Sequence, residues 1–105
     1  MIRFEDEAPL TGDLEVLNML IMEMAYGAET DIREDPTQGP YLTVGKIKAN
    51  SWPEQLESMK CYPISKEAFE SLKLNGYIQK VTPISWSTTP AGNKYFADAT
   101  AEGEA

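Results

Sequence analysis

The sequence predicts a small α+β domain with three to four helices and one short β-hairpin. Two neighbouring stretches carry this prediction. A helix is expected from Lys66 to Asn75, because Ser65 is a good N-cap and a glycine, which tolerates the left-handed backbone of many helix ends, follows the helix. Two β-prone runs come next, at residues 77–81 and 84–88, and the Thr-Pro pair between them leaves room only for a tight reversal.

The leading third of the chain predicts an acidic arm followed by a helix. Residues 1–10 are either a flexible arm or a short edge strand, and the arm is favoured because termini are ordered only when other segments hold them. From Leu14 to Tyr26, apolar residues cover most of the circumference of a helix, so this helix should contact more than one neighbour. It is either a central core helix or, in part, the seam of a homodimer.

The middle of the chain predicts a loop, a strand and a second helix. Residues 27–40 are acidic and contain two prolines and two glycines, which favours a surface loop. The β-branched residues between Tyr41 and Lys48 favour a strand. Ser51 and Glu54 have the spacing of a capping box, so a helix is expected from about residue 52 to residue 60, immediately before the helix at Lys66.

The C-terminal part predicts one more helix and then disorder. Thr89 and Pro90 have the order of an N-cap and a first helical residue. Residues 98–105 are small and acidic and have no large apolar side chain, so we expect a disordered acidic tail.

Two short motifs in this region carry a resemblance. They are Leu72-Lys73-Leu74-Asn75-Gly76-Tyr77-Ile78 and Trp86-Ser87-Thr88-Thr89-Pro90-Ala91-Gly92. Together they resemble the winged-helix regulators of the MarR and PadR type, over residues 64–96. The resemblance implies one winged-helix domain over residues 1–105, with residues 77–88 as a short wing, and a role in DNA-associated transcriptional regulation.

Composition and charge set further expectations. The chain has 105 residues and 42% hydrophobic residues, which fits one small globular domain. Its lone cysteine, Cys61, excludes an internal disulfide and favours a reducing compartment, and no apolar run reaches the length of a membrane span. A cytoplasmic protein without membrane contact is expected. The net charge of −8 is uneven, since residues 1–35 hold ten acidic and two basic side chains, whereas residues 36–97 hold four acidic and seven basic ones.

The residue types give little support for catalysis. Without any histidine, the chain cannot form a Ser-His or Cys-His pair or a histidine-based zinc site. The carboxylates of residues 29–35 lack the spacing and the central glycine of an EF-hand calcium loop. We therefore expect no enzymatic activity, no cofactor and no metal site.

Two binding hypotheses remain. In the first, the protein binds DNA, with the helix at Lys66 in the major groove and lysines on the phosphates. The candidate DNA-binding residues are Lys46, Lys48, Lys66, Lys73, Lys80 and Lys94.

In the second hypothesis, the protein is an acidic protein-interaction module, such as a phage-type inhibitor or DNA mimic that blocks a basic nucleic-acid-binding protein. The candidate protein-binding residues are Glu29, Asp31, Glu34, Asp35 and Leu74. A third interpretation is that the acidic segments bind nothing, are exposed to water and keep the protein soluble.

Overall fold

The structure is a computed structural model that describes residues 2–47 and 56–103. In chain order its elements are α1 (Asp13–Ala25), β1 (Glu29–Asp35), β2 (Gly39–Ile47), β3 (Leu56–Pro63), α2 (Lys66–Leu74), β4 (Ile78–Thr82), β5 (Ser85–Thr88) and α3 (Pro90–Gly103). All five strands form one antiparallel sheet in the order β3-β2-β1-β5-β4. The fold is α+β, but the prediction of a winged-helix domain with a short hairpin wing is wrong.

The three helices cover one face of the sheet. Residues directly opposite each other in an antiparallel pair point to the same face. Ile32 of β1 lies opposite both Leu42 and Trp86, and all three belong to or pack against the apolar core. Helix α1 contacts β1, β2 and β5 as well as α2 and α3, and it supplies Val16, Leu17 and Leu20 to this core. The molecule is therefore a helical layer packed on a sheet.

Helix α1 confirms the helix predicted from Leu14 to Tyr26, but its burial is one-sided. Val16, Leu17 and Leu20 are fully buried, whereas Met22 is 37% exposed and Met24 is 47% exposed. The prediction that this helix contacts more than one neighbour is confirmed, although the apolar side chains on its outer side are not buried. Its outer side faces solvent, and whether that side forms the homodimer seam stays a prediction.

A β-hairpin replaces the loop predicted at residues 27–40. In β1, Thr30 and Ile32 are buried and alternate with exposed or half-buried charged residues, which is the period of a strand with one face on the core. The turn is stabilised by Asp35, whose carboxylate accepts hydrogen bonds from the backbone N–H groups of Thr37 and Gln38 at 2.7 and 2.9 Å. Gly39 then closes the turn with a φ of 84°, a conformation that glycine tolerates best.

Strand β3 occupies part of the helix predicted from residue 52 to residue 60. Residues 56–60 are paired with β2, and the capping box at Ser51 and Glu54 lies outside the described residues. Pairing with β2 prevails over the local helix signal because it extends the sheet that buries Leu42 and Val44. Since a strand precedes α2, the expected helix-turn-helix pair is absent from the described part of the chain.

The segment from Lys66 to Phe96 agrees with the sequence prediction. The Ser65 hydroxyl caps α2 by accepting a hydrogen bond from the Ala68 N–H at 3.1 Å. Strands β4 and β5 form the predicted hairpin. Thr89 caps α3 by accepting from the Gly92 N–H at 3.1 Å. Helix α3 continues to Gly103, so residues 98–103 are helical rather than part of a disordered tail.

The N-terminal arm, described from Ile2 to Leu10, is held against the outer edge of β3. The Glu5 N–H donates to the Cys61 carbonyl at 2.9 Å, and the Leu10 N–H donates to the Pro63 carbonyl at 2.8 Å. Leu10 is also buried in the core. The arm is therefore tied down by backbone hydrogen bonds and by one apolar anchor, unlike the flexible arm that we favoured.

Within residues 2–47 and 56–103, no helix combines the length and the apolar character needed to cross a membrane.

Candidate functional site

The face of the sheet opposite the helices is the candidate site, and we call it the open face. Strand alternation and the pairing register assign its side chains. No helix covers this face in the described part of the chain. Its residues include Glu29, Asp31, Arg33, Asp35, Tyr41, Thr43, Gly45, Met59, Cys61, Ser85 and Ser87.

A polar cluster lies at the centre of the open face. The Thr43 hydroxyl donates a hydrogen bond to the carboxylate of Asp31, which is directly opposite it on the neighbouring strand. The same carboxylate accepts a bond from the Arg33 Nε at 3.3 Å. Thr43 is only 4% exposed, so this pairing also satisfies a buried hydroxyl. Asp31 is thus held in one orientation by a neighbouring strand and by its own strand.

Two further carboxylates flank this cluster on β1. Glu29 is exposed beside Asp31 and lines a shallow depression of about 190 Å³ together with Arg33, Thr43 and Met59. Asp35 lies at the other end of the strand. Backbone hydrogen bonds from Gln38 and then Thr37 lower the pKa of its carboxyl below the ordinary value of 3.8. Asp35 is therefore ionised throughout the neutral range, and β1 presents three carboxylates and one guanidinium on this face.

The structure brings together three of the five predicted protein-binding residues. Glu29, Asp31 and Asp35 share the open face. The side chain of Glu34 projects from the other face of β1, because successive residues of a strand point to opposite faces. It lines a depression on the helical side of the sheet together with Lys66 and Phe69. Leu74 is 88% exposed at the C-terminal end of α2. Both therefore lie away from the carboxylates of the open face.

Sequence reasoning missed the partners that orient these carboxylates. Arg33 and Thr43 were not singled out, although Arg33 alternates in step with Asp31 and Asp35. That spacing of two would have placed Arg33 beside the carboxylates once residues 29–35 were taken as a strand, whereas Thr43 is identified only by its pairing with Asp31 across the two strands.

Cys61 lies on the open face but is a poor nucleophile. Burial raises the pKa of its thiol above the ordinary value of 9.0, and this effect outweighs the lowering by the Arg33 charge. Glu5 and Asp31 raise the pKa further. The thiol is consequently protonated at neutral pH, whereas nucleophilic attack requires the thiolate.

The predicted DNA-binding lysines are divided among several elements. Lys46 is exposed on β2, which β1 and β5 separate from β4, and Lys48 lies outside the described residues. Lys66 is the exposed first residue of α2. Lys94 forms an ion pair with Asp98 at 2.9 Å on the exposed side of α3. These lysines do not form one basic face.

Lys73 and Lys80 are brought together by an aromatic pair. The Phe69 and Trp86 rings meet edge to face at a centroid distance of 5.4 Å. The Lys73 ammonium lies 4.3 Å from the centroid of Phe69, and the Lys80 ammonium lies 5.9 Å from that of Trp86. Lys73 also pairs with Glu70 at 3.0 Å, so its charge is partly neutralised.

Comparison of this chain with protein-family models, with curated proteins and with solved structures gives no match.

Proposed function

We propose that this protein is a non-enzymatic acidic module that binds a basic segment of another protein through the open face. One observation carries the proposal: Glu29, Asp31 and Asp35 project from the same face of β1. Arg33 offsets one of these charges, which leaves an excess of negative charge on a strand in the middle of the sheet. A protein that binds nucleic acid presents lysines and arginines that would complement this face, as in the inhibitor or DNA-mimic hypothesis.

The rigidity of the face supports the same proposal. Asp31 is fixed by Thr43 and Arg33, and Asp35 is fixed by two backbone N–H groups, so little side-chain freedom is lost on binding. Glu29 makes no hydrogen bond or ion pair among the described contacts, and its side chain is exposed. It is therefore the carboxylate whose charge can be changed with the least effect on the fold.

A charge-reversal pair tests the proposal. Glu29→Lys acts on the open face, and Glu34→Lys makes the same charge change at another exposed position of β1, on the opposite face of the strand. With a short oligolysine peptide as the probe, Glu29→Lys should weaken binding about five- to tenfold at low salt, whereas Glu34→Lys should have a much smaller effect. Equal effects of the two variants, or no binding of oligolysine by the wild type, would contradict the proposal.

DNA-associated transcriptional regulation is the second candidate. The observation that favours it is the pair Lys73 and Lys80 beside Trp86, because lysines bind phosphates and an indole ring stacks on unpaired bases. Two phosphate contacts predict a slope of log K against log salt of about −2 with random duplex DNA.

Lys80→Gln should reduce the magnitude of that slope, and the matched change Lys94→Gln should not, since Lys94 is not one of the two lysines beside the Trp86 ring. Absence of binding at low salt would eliminate this candidate and leave the acidic module unaffected.

A further inference from the structure

Strand β4 forms an outer edge of the sheet to which no other strand is bonded in the described part of the chain. The strand order is β3-β2-β1-β5-β4, and the arm is bonded to the opposite edge, at β3. Strand β4 pairs with β5 alone, and its residues 79–82 are exposed. We call this surface the β4 edge and define it by the outward backbone groups of Ile78 and Lys80 and by the Lys80 side chain.

The hydrogen-bond pattern of the hairpin shows which backbone groups point outward. The Thr89 N–H donates to the Tyr77 carbonyl at 3.0 Å, so Tyr77 bonds inward, toward β5 and its continuation. In an antiparallel pair, residues that bond to the partner strand alternate with residues that do not. Gln79 therefore bonds inward as well, whereas Ile78 and Lys80 turn their N–H and C=O groups to the β4 edge. Two donors and two acceptors thus face outward at the spacing of a β-ladder.

The charge beside these backbone groups is positive. Lys80 is the only charged residue from the start of β4 to the end of β5. It lies opposite Trp86, which in turn lies opposite Ile32 of the core, so its side chain is on the helical side of the sheet. Lys73, which Glu70 partly neutralises, reaches the same Trp86 ring with its ammonium 5.4 Å from the centroid. The carboxylates of the open face lie on the other side of the sheet.

This charge disfavours a second copy of the chain as the occupant of the β4 edge. In the antiparallel register that bonds both outward residues of each copy, Ile78 of one copy would lie opposite Lys80 of the other. The two Lys80 side chains would then be diagonal neighbours on one face, about 7–8 Å apart, and would repel each other. A strand with a carboxylate opposite Lys80 replaces this repulsion by an attraction between opposite charges.

We propose that the β4 edge binds an extended acidic segment of another protein as an antiparallel sixth strand. The backbone of that segment bonds to the outward groups of Ile78 and Lys80, and a carboxylate opposite Lys80 sets its register. The inference goes beyond the proposed function, because this partner has the opposite charge and contacts none of the residues of the open face.

The probe is a short peptide in which glutamate and valine alternate. In the proposed register the glutamates lie opposite Ile78 and Lys80, so their N–H groups bond to β4, whereas the valine N–H groups point away. A peptide that is N-methylated at the glutamates should bind about tenfold more weakly than one that is N-methylated at the valines, although the two have the same composition and charge. Equal affinities would overturn the inference, because they would assign the binding to charge alone.

Two substitutions of Lys80 separate its charge from its backbone donor. Lys80→Gln removes the charge and should weaken binding of the unmethylated peptide about two- to fivefold. Lys80→Pro also removes the outward N–H, which an edge strand tolerates, and should weaken binding further. Lys94→Gln, on α3, is the matched control and should leave the affinity unchanged. Equal affinities of the glutamine and proline variants at position 80, or an equal loss with Lys94→Gln, would overturn the inference.

Amide hydrogen exchange of the wild-type protein, measured by NMR, tests the β4 edge without any variant. In the free protein the Lys80 N–H should exchange much faster than the Gln79 N–H, and the unmethylated peptide should slow the exchange of Lys80. Slow exchange of Lys80 in the free protein that becomes faster on dilution would overturn the inference in favour of a second copy. Stronger slowing by a single-stranded oligonucleotide than by the peptide would overturn it in favour of nucleic acid.

Discussion

Replacement of Gly92 by alanine tests the contact between α3 and the start of β4. A Cβ atom at position 92 would lie 2.3 Å from the Tyr77 carbonyl oxygen, whereas ordinary contact begins at 3.4 Å. The two backbones would have to separate by about 1 Å. The Thr89 N–H donates to the same carbonyl at 3.0 Å, and the Thr89 hydroxyl donates to the Gly76 carbonyl at 2.5 Å, so the separation would strain both bonds.

Helix propensity and steric overlap predict opposite effects of Gly92→Ala on the stability of the protein. Alanine in place of a helical glycine is worth about 1 kcal/mol of added stability. An overpacked contact against backbone costs about 1–3 kcal/mol or more, and we expect it to prevail. Gly92→Ala should therefore lower the free energy of unfolding, measured by urea denaturation, and lower the melting temperature by several degrees.

Gly12→Ala is the control, because nothing lies within 4 Å of its added Cβ and its φ is −115°. As Gly12 is the N-cap of α1, its replacement by alanine should change the free energy of unfolding by less than about 1 kcal/mol. An unchanged or increased stability of Gly92→Ala would refute the close approach of α3 to Tyr77.

Two other predictions concern the core and the thiol. Leu20→Ala should lower the free energy of unfolding in denaturant by about 2–5 kcal/mol, because the side chain is fully buried. Leu14→Ala, on the exposed side of the same helix, should lower it much less. Equal losses would contradict the one-sided burial of α1. Cys61 should react slowly with iodoacetamide at neutral pH, and its reaction rate should rise with pH through a midpoint above pH 9.0, since burial raises the thiol pKa. A midpoint at or below the ordinary value would show an accessible thiol.

The elements that local chemistry specifies were predictable from the sequence. Helix α2 begins and ends where its cap and the following glycine indicate, and the β4–β5 hairpin forms where a Thr-Pro pair interrupts two β-prone runs. In the motif of residues 86–92, Thr89 and Gly92 each have a structural role. The first caps α3, and the second lets the helix approach Tyr77.

The elements that depend on distant partners were not predictable in the same way. The prolines, glycines and charges of residues 27–40 resemble a loop, and only pairing with β2 and β5 shows that β1 is a central strand. The segment before Cys61 lacks a clear alternation of apolar residues, and its pairing with β2 contains a register shift beside Lys46 and Ile47. Tertiary pairing overrides local propensity in both cases.

The candidate site was predictable in composition but not in arrangement. The sequence identified the carboxylates of residues 29–35 as a group. A loop gives no reason to separate Glu34 from Asp31 and Asp35, whereas a strand places it on the opposite face. Similarly, the lysines form a mildly basic segment in sequence, but the fold divides Lys46 from Lys80 by two strands.

The docking of the arm on β3 also affects how the chain avoids aggregation during synthesis. An uncovered strand edge offers its N–H and C=O groups to any other extended chain, including a neighbouring nascent copy. Residues 5–10 leave the ribosome before β3 does, so the segment that occupies this edge is already present when the strand emerges. Because the cover is encoded in the same polypeptide, its effective concentration does not depend on how much protein the cell makes.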